Sequence, residues 1–246
     1  MKNIGLSTIF LATFLLSGCY RKIDQKIDQT IKEVNEIRET IIPEPTVIQS
    51  DGLPHKYLIK TTFVPQAPEK NWDQPWQDAC EEAAILTVHY YYQSSTPSIS
   101  QIVADLNNLF QTETDFGFTH DVNLSQMATV SAKLFDLKSE KITHPTVEII
   151  KNYISQNIPV IVPANGKTLF KENTHFKSGG PWYHNVVILG YDDAKKQFIV
   201  HDVGTQFGSY FHYSYDLLLQ ANHDFPSSGQ KEDINKGDQT ILILLK

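Results

Sequence analysis

A free thiol becomes chemically useful when its surroundings lower its pKa and a neighbour accepts its proton, and Cys80 lies in a stretch that supplies part of this. It belongs to Trp76-Gln77-Asp78-Ala79-Cys80-Glu81-Glu82, ahead of the apolar run Ala83, Ala84, Ile85, Leu86, Val88, Tyr90 and Tyr91. Asp78 followed three residues later by Glu81 matches a capping-box pattern and predicts a helix start, with Cys80 as the second helical residue. There the unpaired N–H groups and the positive end of the helix dipole favour thiolate. Glu81 and Glu82 act against it, because acids in a first turn steady a helix but repel a neighbouring thiolate. A cationic histidine is needed to decide the contest in favour of a nucleophile. Without one, Cys80 reads equally well as a small buried hydrophobe.

The histidine comes from a predicted hairpin. His184-Asn185-Val186-Val187-Ile188-Leu189-Gly190-Tyr191 and Gln197-Phe198-Ile199-Val200-His201-Asp202 read as strands, with Asp192 to Lys196 as turn material. Folding them symmetrically about Asp193 sets Ile188 against Phe198, Val186 against Val200 and His184 against Asp202. Side chains alternate along a strand, so the apolar residues and the His–Asp pair share one face. An aspartate there can hold one imidazole nitrogen, leave the other to a thiol and stabilise the imidazolium. A register slip of one residue would send Asp202 to the wrong face.

Other elements must bring these parts together. Strands are expected at Tyr57 to Phe63, Ile158 to Val162, Tyr210 to Tyr213 and Thr240 to Leu245. Helices are expected at Asp78 to Tyr92, Ser98 to Phe110, Leu124 to Phe135 and Thr146 to Gln156. Helices lead and strands follow, which predicts an α+β fold with a mostly antiparallel sheet in its C-terminal half. Asn165 to Pro181 and Asn222 to Asp238 are the long irregular stretches. Gly179-Gly180-Pro181 before His184 reads as a loop able to gate a cleft, and Trp76, Trp182 and Tyr183 as possible walls of it.

Ahead of this domain, which starts near His55, the sequence changes character. Lys2, the apolar run Ile4 to Leu16 and Ser17-Gly18 describe a secretory signal over residues 1–18. Leu16-Ser17-Gly18-Cys19 resembles a bacterial lipobox, which implies lipidation of Cys19, export and anchoring to the membrane. Cys80 then has no disulfide partner in the chain. Residues 19–54 are expected to be a tether. Ile23, Ile27, Ile31, Val34, Ile37 and Ile41 fall on one helical stripe, which reads as an amphipathic stalk helix or equally as a half-disordered tether, and Pro43-Glu44-Pro45 ends any helix there.

The sequence around Cys80 and His184 resembles the papain-like cysteine peptidases. The nearest likeness is to the bacteriocin-processing, double-glycine-leader peptidases and their exported relatives. His184-Asn-Val-Val-Ile-Leu-Gly-Tyr-Asp is similar to their histidine strand, and Gln74, Cys80, His184 and Asp202 follow the order of their catalytic residues. The resemblance implies a papain-like fold over residues 55–246, Cys80 as nucleophile, His184 as base and acid, and Asp202 orienting His184. It implies that Gln74 and the Cys80 N–H bind the oxyanion. Glu81 departs from the glycine that usually follows the nucleophile, and Val203 from a common proline.

These readings predict a thiol-dependent hydrolase, most simply a cysteine peptidase acting on peptide or protein substrates. Two alternatives stay open: acyl transfer to an amine through the same acyl-enzyme, and an idle surface binding module. No cofactor is expected, because the nine histidines form no close cluster with metal-ligand spacing. Nor is a nucleic-acid partner, since 21 basic against 28 acidic residues leave a formal charge of −7.

Overall fold

A computed structural model of the chain describes residues 52–246. The signal segment, Cys19 and the stalk helix fall outside the described residues. The helices come mostly first: after β1 (Lys56–Leu58) follow α1 (Cys80–Gln93), α2 (Ile99–Phe116), α3 (Leu124–Phe135) and, beyond β2 (Lys138–Thr143), α4 (Val147–Ser155). The rest is β3 (Val160–Ala164), a short α5 (Gly166–Leu169), β4 (His184–Asp192), β5 (Gln197–Asp202), β6 (Phe211–Ser214), α6 (Tyr215–Ala221) and β7 (Thr240–Leu245). The expected α+β class is the one found.

One sheet collects these strands in the order β2-β7-β3-β4-β5-β6, with β1 beside β4, and every pairing is antiparallel. Strand β4 is its centre. Along one side it pairs with β5 for most of its length, and along the other with β3 and then β1. All nine residues of β4 are buried, as suits a strand covered on both faces.

The helices start where their sequences supply caps. Ser98 accepts from the Gln101 N–H, Thr146 from Ile149, and Asn123 forms a full capping box with Gln126. Helix α1 is the exception: its N-cap is Ala79, with no side-chain acceptor. Asp78 ends a single 3-10 turn, Trp76–Asp78, and does not cap the helix, so Cys80 is the first helical residue and not the second. What holds α1 is burial. Ile85, Leu86 and Val88 are fully enclosed, each worth about 1.5–3 kcal/mol against exposure.

Two acids are buried with that apolar face. Both oxygens of Glu82 on α1 and Oε1 of Glu113 on α2 lack an N–H or O–H donor among the described residues. The hydrogen bond open to them is with each other, and it requires one carboxyl to carry a proton. Burial, reinforced by the charge of Glu113, pushes Glu82 well above its usual range, and burial pushes Glu113 up to about 7. The folded chain thus keeps a proton that the unfolded chain releases near 4.5, and stability drops as pH climbs from there through about 7. Urea midpoints should be higher at pH 5 than at pH 7.5, by an unfolding energy on the order of 3 kcal/mol at most. Glu113→Gln should flatten the dependence; an unchanged slope in that variant would remove the shared proton from the account.

Candidate active site

The site is built on the β4–β5 hairpin. Its register differs from the symmetric fold expected: Asp192 meets Gln197, three residues beyond Ala194, while Val186 meets Asp202, two beyond Val200. The turn from Asp193 to Lys196 introduces the odd shift, and Lys196 takes a left-handed φ of 53° to close it. A shift of three would turn β5 over. A bulge between Ile188 and Gly190 absorbs one residue, leaving a shift of two. An even shift preserves the face, so His184 and Asp202 still lie on one side, as diagonal neighbours and not directly opposed.

The diagonal is spanned by the far nitrogen of the ring. His184 Nε2 lies 2.8 Å from Asp202 Oδ1, with the two residues 1% and 0% exposed. Nδ1 makes no hydrogen bond among the described residues, which leaves it for a thiol. Asp202 also accepts from Tyr213 Oη at 2.5 Å, Asn173 Nδ2 at 2.9 Å and the Gly204 N–H at 3.1 Å. Burial pushes its carboxyl up, but His184 and these donors outweigh burial and hold it below the usual range. The neighbouring His201 faces the other way, between Phe63 and Tyr210. Burial lowers it to about 3, so it stays neutral.

Cys80 is set against the start of the same strand. Asn185 Nδ2 donates to its sulfur at 3.8 Å, and the thiol donates to Glu81 Oε2 at 2.8 Å. Among the described residues no hydrogen bond joins it to His184. Asn185 follows His184 in the strand and so points to the opposite face, and Sγ sits on the Asn185 side. The thiol is 4% exposed and does not open to a cleft. Burial, then the charge and hydrogen bond of Glu81, then the charge of Glu82 push its pKa well above the usual value, against a small opposing effect of Asn185. Here the sulfur rests as a thiol.

Gln74 is exposed, and its Nε2 donates to Asp78 Oδ2 at 2.6 Å rather than to the region of the sulfur. A different glutamine organises the segment. Gln66 is buried, and its Nε2 donates to the carbonyls of Trp76 and Gln77, at 3.0 and 2.8 Å, just ahead of Cys80. Its own N–H donates to Val203 O at 3.0 Å, just past Asp202. Of the expected cleft walls, Trp76 packs edge-on against Phe110, and Tyr183 is buried with its hydroxyl on Val122 O. Trp182 remains open, beneath Lys167 Nζ. That lysine ties the Gly179–Gly180 loop down by a 2.6 Å bond to Gly180 O. Gly180 adopts φ 84° there, and any side chain on it would collide with Gly166 O. Sequence reasoning missed Asn173, Tyr213 and Gln66. None belongs to a recognisable motif, although Tyr213 lies on an expected strand.

Residues 59–227 match the model of the Peptidase_C39 like family. Among solved structures the chain is similar to a protein from Bacillus anthracis assigned as a C39-like peptidase, with 14% identity and a TM-score of 0.47 over 78% of this chain and 98% of that one. It is also similar to xylellain, a cysteine protease from Xylella fastidiosa, with 13% identity and a TM-score of 0.42 over 83% and 90%. No curated protein matches the sequence.

Replacing Tyr213 by Phe removes a donor from the buried Asp202 carboxylate while keeping the ring. Chemical denaturation should show a loss of about 1.5–3 kcal/mol above pH 5, the usual worth of a hydrogen bond to a buried charge. A loss below about 0.5 kcal/mol would mean that Asp202 does not depend on that hydroxyl.

Proposed function

Since the chain belongs to the Peptidase_C39 like family and is a cysteine peptidase, we propose that it hydrolyses peptide or amide bonds outside the cytoplasm through an acyl-enzyme on Cys80. The observation that carries this reading is the buried His184–Asp202 pair, bonded through Nε2 so that Nδ1 is spare, at the strand start against which Cys80 packs.

For the reaction the sulfur must leave Glu81 and reach Nδ1. The thiol proton passes to Nδ1, and the resulting thiolate attacks the substrate carbonyl. Asp202, held as a carboxylate by four donors, stabilises the imidazolium. The developing oxyanion meets the N–H of Cys80, one of the first-turn donors for which a helix supplies no partner of its own, at a helix start whose Ala79 cap offers no side-chain acceptor. Gln74 joins it only if its bond to Asp78 opens. The imidazolium then protonates the leaving amine, and the same nitrogen takes a proton from the water that cleaves the thioester. Peptide or protein chains are the substrate class, and the lipobox at Cys19 supports a lipid-anchored, exported location.

Cys80→Ala and His184→Ala should each abolish hydrolysis of a mixed peptide library, and Asp202→Asn should slow it by about 100-fold or more. Mass spectrometry of the quenched reaction should find the acyl group on Cys80. Cleavage that survives in Cys80→Ala overturns the assignment. Separately, Cys19→Ala should move the protein from the membrane fraction of a bacterial host to the soluble one. Unchanged partitioning would remove the anchor from the proposal.

A further inference from the structure

Resting on the peptidase reading, we infer that Glu81 holds the nucleophile: its carboxyl keeps Cys80 as a thiol turned away from His184, and catalysis requires that contact to open. Glu81 is fully buried, unusual for a carboxyl, in the first turn of α1, and both its oxygens are engaged. Oε2 accepts from the Cys80 thiol at 2.8 Å, and Oε1 accepts from the Val122 N–H at 3.1 Å. Two negative charges cannot share a buried 2.8 Å contact. While sulfur touches Oε2 the pair carries at most one charge, and thiolate is the form excluded first.

The other groups around the pair reinforce this. On α1, Glu82 adds a second acid near the sulfur, itself paired with Glu113 of α2. From the segment before α3, Asp121 faces Glu81, and Asp121 is in turn influenced by Asp78, Lys231, His120 and Glu232. From β4 and the residue before it, the Asn185 amide and the Tyr183 phenol reach the pair or its partners, while His184, the titratable group at the start of β4, bonds to Asp202 instead. Burial, with the charge of Asp121, raises the carboxyl of Glu81 itself. Among the described residues no cation bonds to either member of the pair.

The holding contact has a second end. Val122 is gripped on both sides, its N–H by Glu81 and its carbonyl by the Tyr183 hydroxyl at 3.1 Å. Tyr183 directly precedes His184. The segment between α2 and α3 is therefore wired to nucleophile and base together, and a substrate that shifts it loosens Glu81 from the sulfur. Glu81 is thus not a neutral stand-in for a small residue. It is the part that keeps an exposed-compartment thiol unreactive until a substrate is seated.

The test is alkylation of Cys80 by iodoacetamide across pH 5–10, followed by intact mass on the full chain, in the wild type and in Glu81→Gln, Glu81→Ala and Glu82→Gln. Both Glu81 variants should lower the midpoint of the rate profile by about one pH unit or more, giving roughly tenfold faster labelling at pH 7. Glu82→Gln, which removes an acid that does not touch sulfur, should move it less. Unchanged or raised midpoints at Glu81, or equal shifts at both positions, overturn the inference. If the variants do not fold, the infrared S–H stretch of the wild type, isolated by subtracting Cys80→Ala, decides. A band shifted down from that of a free thiol supports the contact, and one at the free-thiol frequency refutes it. Neither readout needs a peptide, so loss of the inference leaves the hydrolysis assay standing, and the reverse.

Discussion

The rest of the site depends on one constraint: Asp202 is a carboxylate with no access to water, and each of its lone pairs must be met from within. A buried unpaired charge costs several kcal/mol, which no local strand preference could offset. The fold answers with four donors from four places: His184 at the start of β4, Tyr213 in β6, Asn173 in the loop after α5, and the Gly204 N–H two residues on. Gly208 allows the chain to fold back closely enough for its carbonyl to accept from the Asp202 N–H at 2.9 Å. A Cβ at Gly208 would run into the Asp202 carbonyl, so the return loop needs glycine there. Imidazole orientation is a by-product of satisfying this one group.

The thiol lives under the opposite regime. Where Asp202 is surrounded by donors, Cys80 is flanked by Glu81 and Glu82 and stays protonated. The two halves of the site are thus biased apart in electrostatic terms, one towards charge and one against it. That is a stable resting arrangement, since an enclosed thiol needs little solvation and a well-bonded carboxylate lacks nothing. It also means that the helix-start argument for a lowered thiol pKa does not hold in this state: the dipole is present, but burial and a touching carboxyl outweigh it.

Much of this is legible in the sequence, for reasons that differ by element. Helix α3 and strands β5 and β7 fall where expected, because a strong Asn123 cap and clean apolar runs fix their ends. Strand β2 carries no such signal: Lys138–Thr143 is charged and mostly exposed, and only pairing with β7 makes it a strand. Helix α6 is short and depends on the Ser214 cap next to an apolar triplet, a signal present but easily passed over. The symmetric fold puts His184 and Asp202 on the right face through the wrong register. The turn's odd residue is marked by no Asn-Gly turn, while the bulge that cancels it has a sequence signal, the isolated Gly190, that does not by itself fix the register. Asp78 misleads because a capping pattern is a local signal, and the 3-10 turn at Trp76–Asp78 is fixed by contacts from elsewhere.

Those contacts explain how two stretches more than a hundred residues apart in sequence come to lie together. The segment before Cys80 has little regular structure of its own, so its backbone carbonyls need donors from outside. Gln66 supplies two through its side chain, to Trp76 and Gln77, and uses its own N–H on Val203. Gln206 adds a bond from its side chain to Ala67 O at 2.8 Å. A short bent strap, residues 66–67, is thereby fastened to the approach to Cys80 and to the return from Asp202 at once. Such a strap transmits position without supplying chemistry. It follows that the Cys80 and Asp202 parts of the candidate site are held in register by the side-chain and backbone N–H groups of Gln66, while the sulfur–imidazole contact itself is left unmade. A site assembled this way keeps its backbone aligned at rest and leaves the approach of sulfur to imidazole still to be made.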